Sequence, residues 1–157
     1  PGWFAQVLTD PRFFLTPIVE DGELPYPAGD AALAWIDARD IAAVAEVVLL
    51  EDTHDGRVLT LTGPAAWTLA ETAALVSRAL GRPVVHRDQT VAEATAGSEG
   101  FVLDLDVVTF ERVREGVFAV VTDTVAEVTG RPARRFEDYV AEAFSRVATT
   151  ANSGSPE

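Results

Sequence analysis

The chain has 157 residues, 48% hydrophobic and 24% charged, a globular composition sufficient for one core and unlike that of a disordered or fibrous chain. Its net charge of −13, from 25 acidic against 12 basic residues, opposes a phosphate backbone, and no basic stripe offsets it, so nucleic acid is excluded as a partner. No apolar run approaches the roughly 20 residues that span a bilayer and no basic-then-apolar signal peptide opens the sequence, so a cytoplasmic protein without membrane contact is expected.

In chain order, residues 3–9 read as a short helical stretch stopped by Asp10-Pro11, Pro17 interrupts the next apolar stretch, and Asp21-Gly22 marks a turn. Residues 23–26 and 32–36 are strand candidates around a Pro27-Ala28-Gly29-Asp30 loop. The spacing predicts a helix over 38–50, with Ile41, Val44, Ala45, Val48 and Leu49 on one face and Asp37 as its cap. Asp55-Gly56 turns into residues 57–62, which have the length and β-branched content of a buried strand. Thr68 and Glu71 form a capping box that opens a helix running to Leu80, closed by Gly81 with Pro83 beyond. A strand is predicted over 84–87, and helices over 102–114, 122–129 and 136–147. The last presents Phe136, Tyr139, Val140, Ala143 and Phe144 on one face. The small, polar residues 149–157 are expected to be a disordered tail, leaving 1–148 as the folded part.

Strands alternating with helices predict an α/β architecture. Only residues 57–62 look fully buried, however, too few strands for a complete doubly wound sheet, so most of the sheet is expected outside this chain. Three absences narrow the chemistry. Without Cys there is no disulfide, thiolate zinc site or cysteine nucleophile. Every basic residue is Arg, so no Lys is available for a Schiff base or a Tyr-Lys dyad. There is no Met either, and with Pro at position 1 we expect a piece of a longer polypeptide.

Five segments then stand out in order: Pro1-Gly2-Trp3-Phe4-Ala5-Gln6; Ala34-Trp35-Ile36-Asp37-Ala38-Arg39-Asp40-Ile41-Ala42; Leu59-Thr60-Leu61-Thr62-Gly63-Pro64; Leu80-Gly81-Arg82-Pro83; and Thr129-Gly130-Arg131-Pro132 followed by Phe136-Glu137-Asp138-Tyr139. Together, over about residues 1–144, they resemble the second half of NmrA-like proteins, atypical short-chain dehydrogenase/reductases that include quinone- and azo-reducing members. The resemblance implies the C-terminal part of a Rossmann-like NAD(P)-binding fold, comprising the last sheet strands and a small substrate-side subdomain. It implies NAD or NADP as cofactor, and a small conjugated or quinone-like molecule as substrate. Departures are equally visible. No G-x-x-G-x-x-G phosphate turn occurs, so the N-terminal nucleotide-binding half is absent from this chain. Val7 stands where the family usually has Asn, and without Lys the Tyr-x-x-x-Lys relay cannot be here.

The resemblance points to Pro1, Gly2, Trp3 and Phe4 as cofactor-facing, and to Gln6, Phe13, Phe14 and His86 as substrate-binding; it assigns no catalytic residue. Packing of a short helix on a missing sheet accounts equally for Trp3, Phe4, Phe13 and Phe14. These four would present an apolar surface that recruits the missing N-terminal half or a second copy, so residues 1–14 are expected to be paired with other protein or poorly ordered. Asp37, Arg39 and Asp40 read as a cap, a pairing partner and a dipole charge, not a catalytic cluster. His54 lies in a solvated turn, and no spacing suits a metal. The function expected is an NAD(P)-dependent oxidoreductase. A dinucleotide-sensing regulator and a cofactor-free isomerase or cyclase with an aromatic pocket are the alternatives.

Overall fold

The computed structural model describes residues 3–153. After a 3₁₀ turn at Ala5–Thr9 comes a short helix, α1, at Leu15–Glu20. Pro17, expected to interrupt this stretch, is instead the third residue of α1, in the first turn, where a missing N–H removes no intrahelical bond. Strands β1 (Glu23–Pro25) and β2 (Ala32–Leu33) follow, then α2 (Ala38–Leu50). Next are β3 (Trp67–Thr68), α3 (Leu69–Leu80), β4 (Val85–Arg87) and α4 (Val91–Ala94). The chain ends in α5 (Gly100–Arg114), α6 (Thr124–Thr129) and α7 (Phe136–Ser153). The last helix thus runs beyond residue 147 into the stretch expected as tail; residues 154–157 lie outside the described part.

The strands make two short ladders, consistent with a partial α/β fold. β1 pairs with β4 in parallel, Leu24 opposite His86, and β2 pairs with β3 antiparallel, Leu33 opposite Trp67. A separate parallel bridge joins Phe4 to Ile36. The buried strand expected over 57–62 is not formed among the described residues. Val58 is 95% exposed, and the segment is buried only from Leu61 onward. Its β-branched residues suit an extended backbone, but a strand also needs a neighbour to bond with. What this segment finds is side chain: the Thr122 hydroxyl donates to the Thr60 carbonyl at 2.8 Å, and the Thr122 N–H donates to Thr62 Oγ1 at 2.9 Å.

The core has two parts. The larger centres on Trp35, stacked on Phe136 at 5.4 Å with its Nε1–H donating to Thr72 Oγ1 at 3.2 Å. Around it lie Leu8, Ile18, Leu24, Leu33, Leu69, Val76, Val113, Val140 and Phe144, all fully buried. Each such side chain stabilises the fold by about 1.5–3 kcal/mol before entropy is counted. The predicted faces of α3 and α7, which pack together, supply much of it, with Leu69, Ala73 and Val76 from one and Val140 and Phe144 from the other. The smaller core, Ile36, Val44, Leu61 and Val125, fastens α2 to α6. Only part of the predicted α2 face is used, since Leu49 is exposed.

Candidate functional site

The parallel bridge at Phe4 and Ile36 places the start of the described chain. The Ile36 N–H donates to the Trp3 carbonyl and the Ala5 N–H to the Ile36 carbonyl, both at 2.9 Å. That clamp turns Trp3 inward, edge-on to Tyr26 (centroids 5.2 Å apart), Trp35 (6.0 Å) and Phe118 (6.3 Å). Tyr26 in turn meets Phe14 at 5.9 Å and Phe110, from α5, at 5.2 Å. T-shaped contacts of this kind add about 0.5–1.5 kcal/mol each to plain burial.

Tyr26 is the residue that sequence reading missed. It is 6% exposed, and its hydroxyl, fully enclosed, has no hydrogen-bond partner among the described residues. Burial, and then the negative charge of Asp106, push its pKa well above the ordinary phenol range, so it is held as a neutral donor. Asp106 is itself held by the Ser98 hydroxyl at 2.9 Å. His86, half-buried on β4, sits within 3.0 Å of the Tyr26 carbonyl through Nε2.

A second feature forms where the 3₁₀ turn meets α2 and α7. A groove of about 380 Å³ is lined by Gln6, Thr9, Arg39, Tyr139, Glu142 and Arg146 among others. Its polar groups are mutually engaged. The Gln6 amide donates to Asp37 Oδ1 and accepts the Ala38 N–H, both at 3.0 Å. Asp37 caps α2 through the Arg39 N–H at 2.8 Å and holds the Arg39 guanidinium at 2.6 Å. Burial of Asp37 works against its charge, but the bonds from Arg39 and Gln6 outweigh it and keep its carboxyl below the usual range. Arg39 also reaches Glu142 at 3.2 Å, and Thr9 Oγ1 lies 3.0 Å from the Tyr139 hydroxyl. Asp40, also buried, accepts from the Arg134 N–H at 2.7 Å and pairs with its guanidinium.

Of the residues singled out in the sequence, Trp3 and Phe14 come together through Tyr26, and His86 joins them through the Tyr26 carbonyl. Phe4 and Phe13 do not share this cluster; they are 44% and 57% exposed. Residues 3–14 are therefore neither wholly packed on their own chain nor wholly free of it. Gln6 serves α2 first, with one amide N–H left for anything in the groove. Pro1 and Gly2 lie outside the described residues.

Among the described residues a carboxylate stands at or beside the start of every α-helix but α1, and it opposes a dinucleotide's diphosphate there. Asp37 caps α2, Glu71 and Glu93 close capping boxes on α3 and α4, and Glu99 and Asp123 stand at the N-caps of α5 and α6. Glu137 and Asp138 occupy the first turn of α7. The carboxylates of Asp37, Thr68-bound Glu71 and Thr90-bound Glu93 are engaged at their helix starts, and those at α5 to α7 add negative charge where phosphate would otherwise be attracted. Among the described residues no group of three or more His, Asp or Glu could hold a metal ion, and no helix is long and apolar enough to cross a membrane.

No protein-family model matches the chain. It is similar to an NAD(P)H azoreductase of Xenophilus azovorans, 38% identical over 144 residues, covering 88% of this chain and 49% of that protein. It is also similar to a (4-alkanoyl-5-oxo-2,5-dihydrofuran-3-yl)methyl phosphate reductase of Streptomyces griseus, 43% identical over 118 residues, covering 73% of this chain and 42% of the relative. Among solved structures, the NADPH-dependent quinone oxidoreductase of Escherichia coli superposes with a TM-score of 0.77 at 26% identity, covering 92% of this chain and 53% of that one. The chain thus spans about half the length of the relatives it matches. With its five segments in the order of the NmrA-like, atypical short-chain dehydrogenase/reductases, the chain is similar to the C-terminal part of such proteins.

Proposed function

We propose that this chain is the substrate-side part of an NAD(P)H-dependent reductase acting on small conjugated molecules of quinone or azo type, with the dinucleotide held by a half that precedes Pro1. The observation that carries this reading is the likeness over 88% of the chain to a reductase named for azo substrates. The fold it shares with a quinone reductase supports it. The carboxylates at the starts of α2, α3 and α4 support a diphosphate site outside this chain. Trp3, Phe14, Tyr26 and Phe110 form an apolar cluster in which only Trp3 is partly exposed, and it would back the face that a flat acceptor meets. In this reading Trp3 and Phe4 adjoin the cofactor, Phe13, Phe14 and His86 adjoin the substrate, and Gln6 holds α2 beside it. The exposed Phe4 and Phe13 face the preceding half, and the protein works in the cytoplasm, where reduced nicotinamide is available.

The test is an activity assay of the protein extended by the region encoded ahead of Pro1. NADPH or NADH oxidation dependent on an added naphthoquinone or azo dye supports the reading. Dinucleotide binding with no turnover of any quinone, azo dye or enone overturns it in favour of a sensor.

A further inference from the structure

Residues 57–63 run without a turn or bend, and their side chains alternate as those of a strand do. Leu59 and Leu61 pack into the smaller core with Ile36, Val44 and Val125, while Val58, 95% exposed, and Thr60 face outward. The main-chain N–H groups of residues 58–62 find no acceptor among the described residues, although Leu61 and Thr62 are buried residues. In an extended chain the N–H and carbonyl of one residue point to the same edge, and those of its neighbours to the other. Thr122, whose hydroxyl donates to the Thr60 carbonyl, marks the edge that carries Thr60. The opposite edge, with the N–H and carbonyl groups of Leu59 and Leu61, has no partner among the described residues. Unpaired main-chain groups in a row on an apolar, β-branched segment make an open sheet edge.

Two neighbouring residues tie this edge to the start of the described chain. Ile36 holds Trp3 and Ala5 through its N–H and carbonyl at 2.9 Å, and Gly63 lies hard against the carbonyl of Trp35. The chain ahead of Trp3 and residues 57–63 therefore converge on Trp35 and Ile36. This chain also spans about half the length of the relatives it matches, so proteins of that size carry further chain with which to cover such an edge. We propose that a β-strand of the half preceding Pro1 pairs along the Leu59–Leu61 edge and joins the two halves through main-chain hydrogen bonds. The proposal rests on the reading above that such a half precedes Pro1. A helix laid on this edge would leave the Leu59 and Leu61 N–H groups unmet. A second copy of the chain suits it less, because two bodies of net charge −13 repel and Glu51, Asp52 and Asp55 stand just ahead of the segment.

The experiment is amide hydrogen exchange, compared between the 157-residue chain and the protein extended ahead of Pro1, with quinone turnover by the extended protein measured alongside. The expected result is fast exchange at Leu59 and Leu61 in the chain alone, slowed at least about tenfold in the extended protein. Equal rates in the two proteins overturn the proposal. Exchange already slow in the chain alone overturns it too, in favour of a second copy where the rate falls as concentration rises. Protection without turnover would leave the pairing standing and sink the reductase reading, and turnover without protection would do the reverse.

Discussion

Gly63 passes so close to Trp35 that a methyl group built on it would lie 1.8 Å from the Trp35 carbonyl oxygen and 2.9 Å from the carbonyl carbon. The obstacle is backbone, which cannot swing aside as a flexible side chain would. Trp35 is itself locked by its stack on Phe136 and its bond to Thr72. Gly63→Ala should therefore destabilise the chain by about 1–3 kcal/mol or more, read as a lower urea midpoint. An unchanged midpoint would mean that the 60–63 segment is not seated against Trp35.

The Asp37–Arg39 pair makes a pH-dependent prediction. Because the Asp37 carboxyl is held below its ordinary range, its contribution is present above the unfolded value of about 3.9 and is lost as pH falls through the native value. Asp37→Asn keeps a capping oxygen but gives up the charge, so at neutral pH it should cost about 1–2 kcal/mol, allowing for the half-exposed Arg39. That gap should shrink as pH drops below about 4. A gap independent of pH would show that the ion pair adds nothing.

Tyr26 carries a buried hydroxyl that the described residues leave unsatisfied. Tyr26→Phe removes the unmet donor and keeps the ring contacts to Trp3, Phe14 and Phe110. Stability should be unchanged or higher by up to about 1 kcal/mol. A loss of more than about 1 kcal/mol would reveal a hidden hydrogen-bond partner.

How far the sequence could be read follows from how local each signal is. The capping box at Thr68 and Glu71 needs only residues three apart, and it opens α3 as expected, with Gly81 in the left-handed conformation closing it. An equally local box at Thr90 and Glu93 opens α4 and was there to be read. Residues 57–62 carry the composition of a strand, but pairing is a property of the neighbour, and composition is silent about that. Asp37, Arg39 and Asp40 are legible as architecture, although Asp40 reaches Arg134, far along the chain, which no local rule predicts. Tyr26 was illegible for the same reason: Trp3, Phe14 and Phe110 give it its setting, from three separate elements.

The central claim is that this chain is the substrate-side part of a reductase whose dinucleotide is held elsewhere. Calorimetric titration of NADPH into the 157-residue chain, and into the protein extended ahead of Pro1, tests it most directly. The account predicts no saturable binding to the chain alone up to about 1 mM, and a dissociation constant on the order of micromolar for the extended protein. Micromolar binding to the 157-residue chain by itself would contradict it, because the diphosphate would then have found a cradle among helix starts that carry carboxylates.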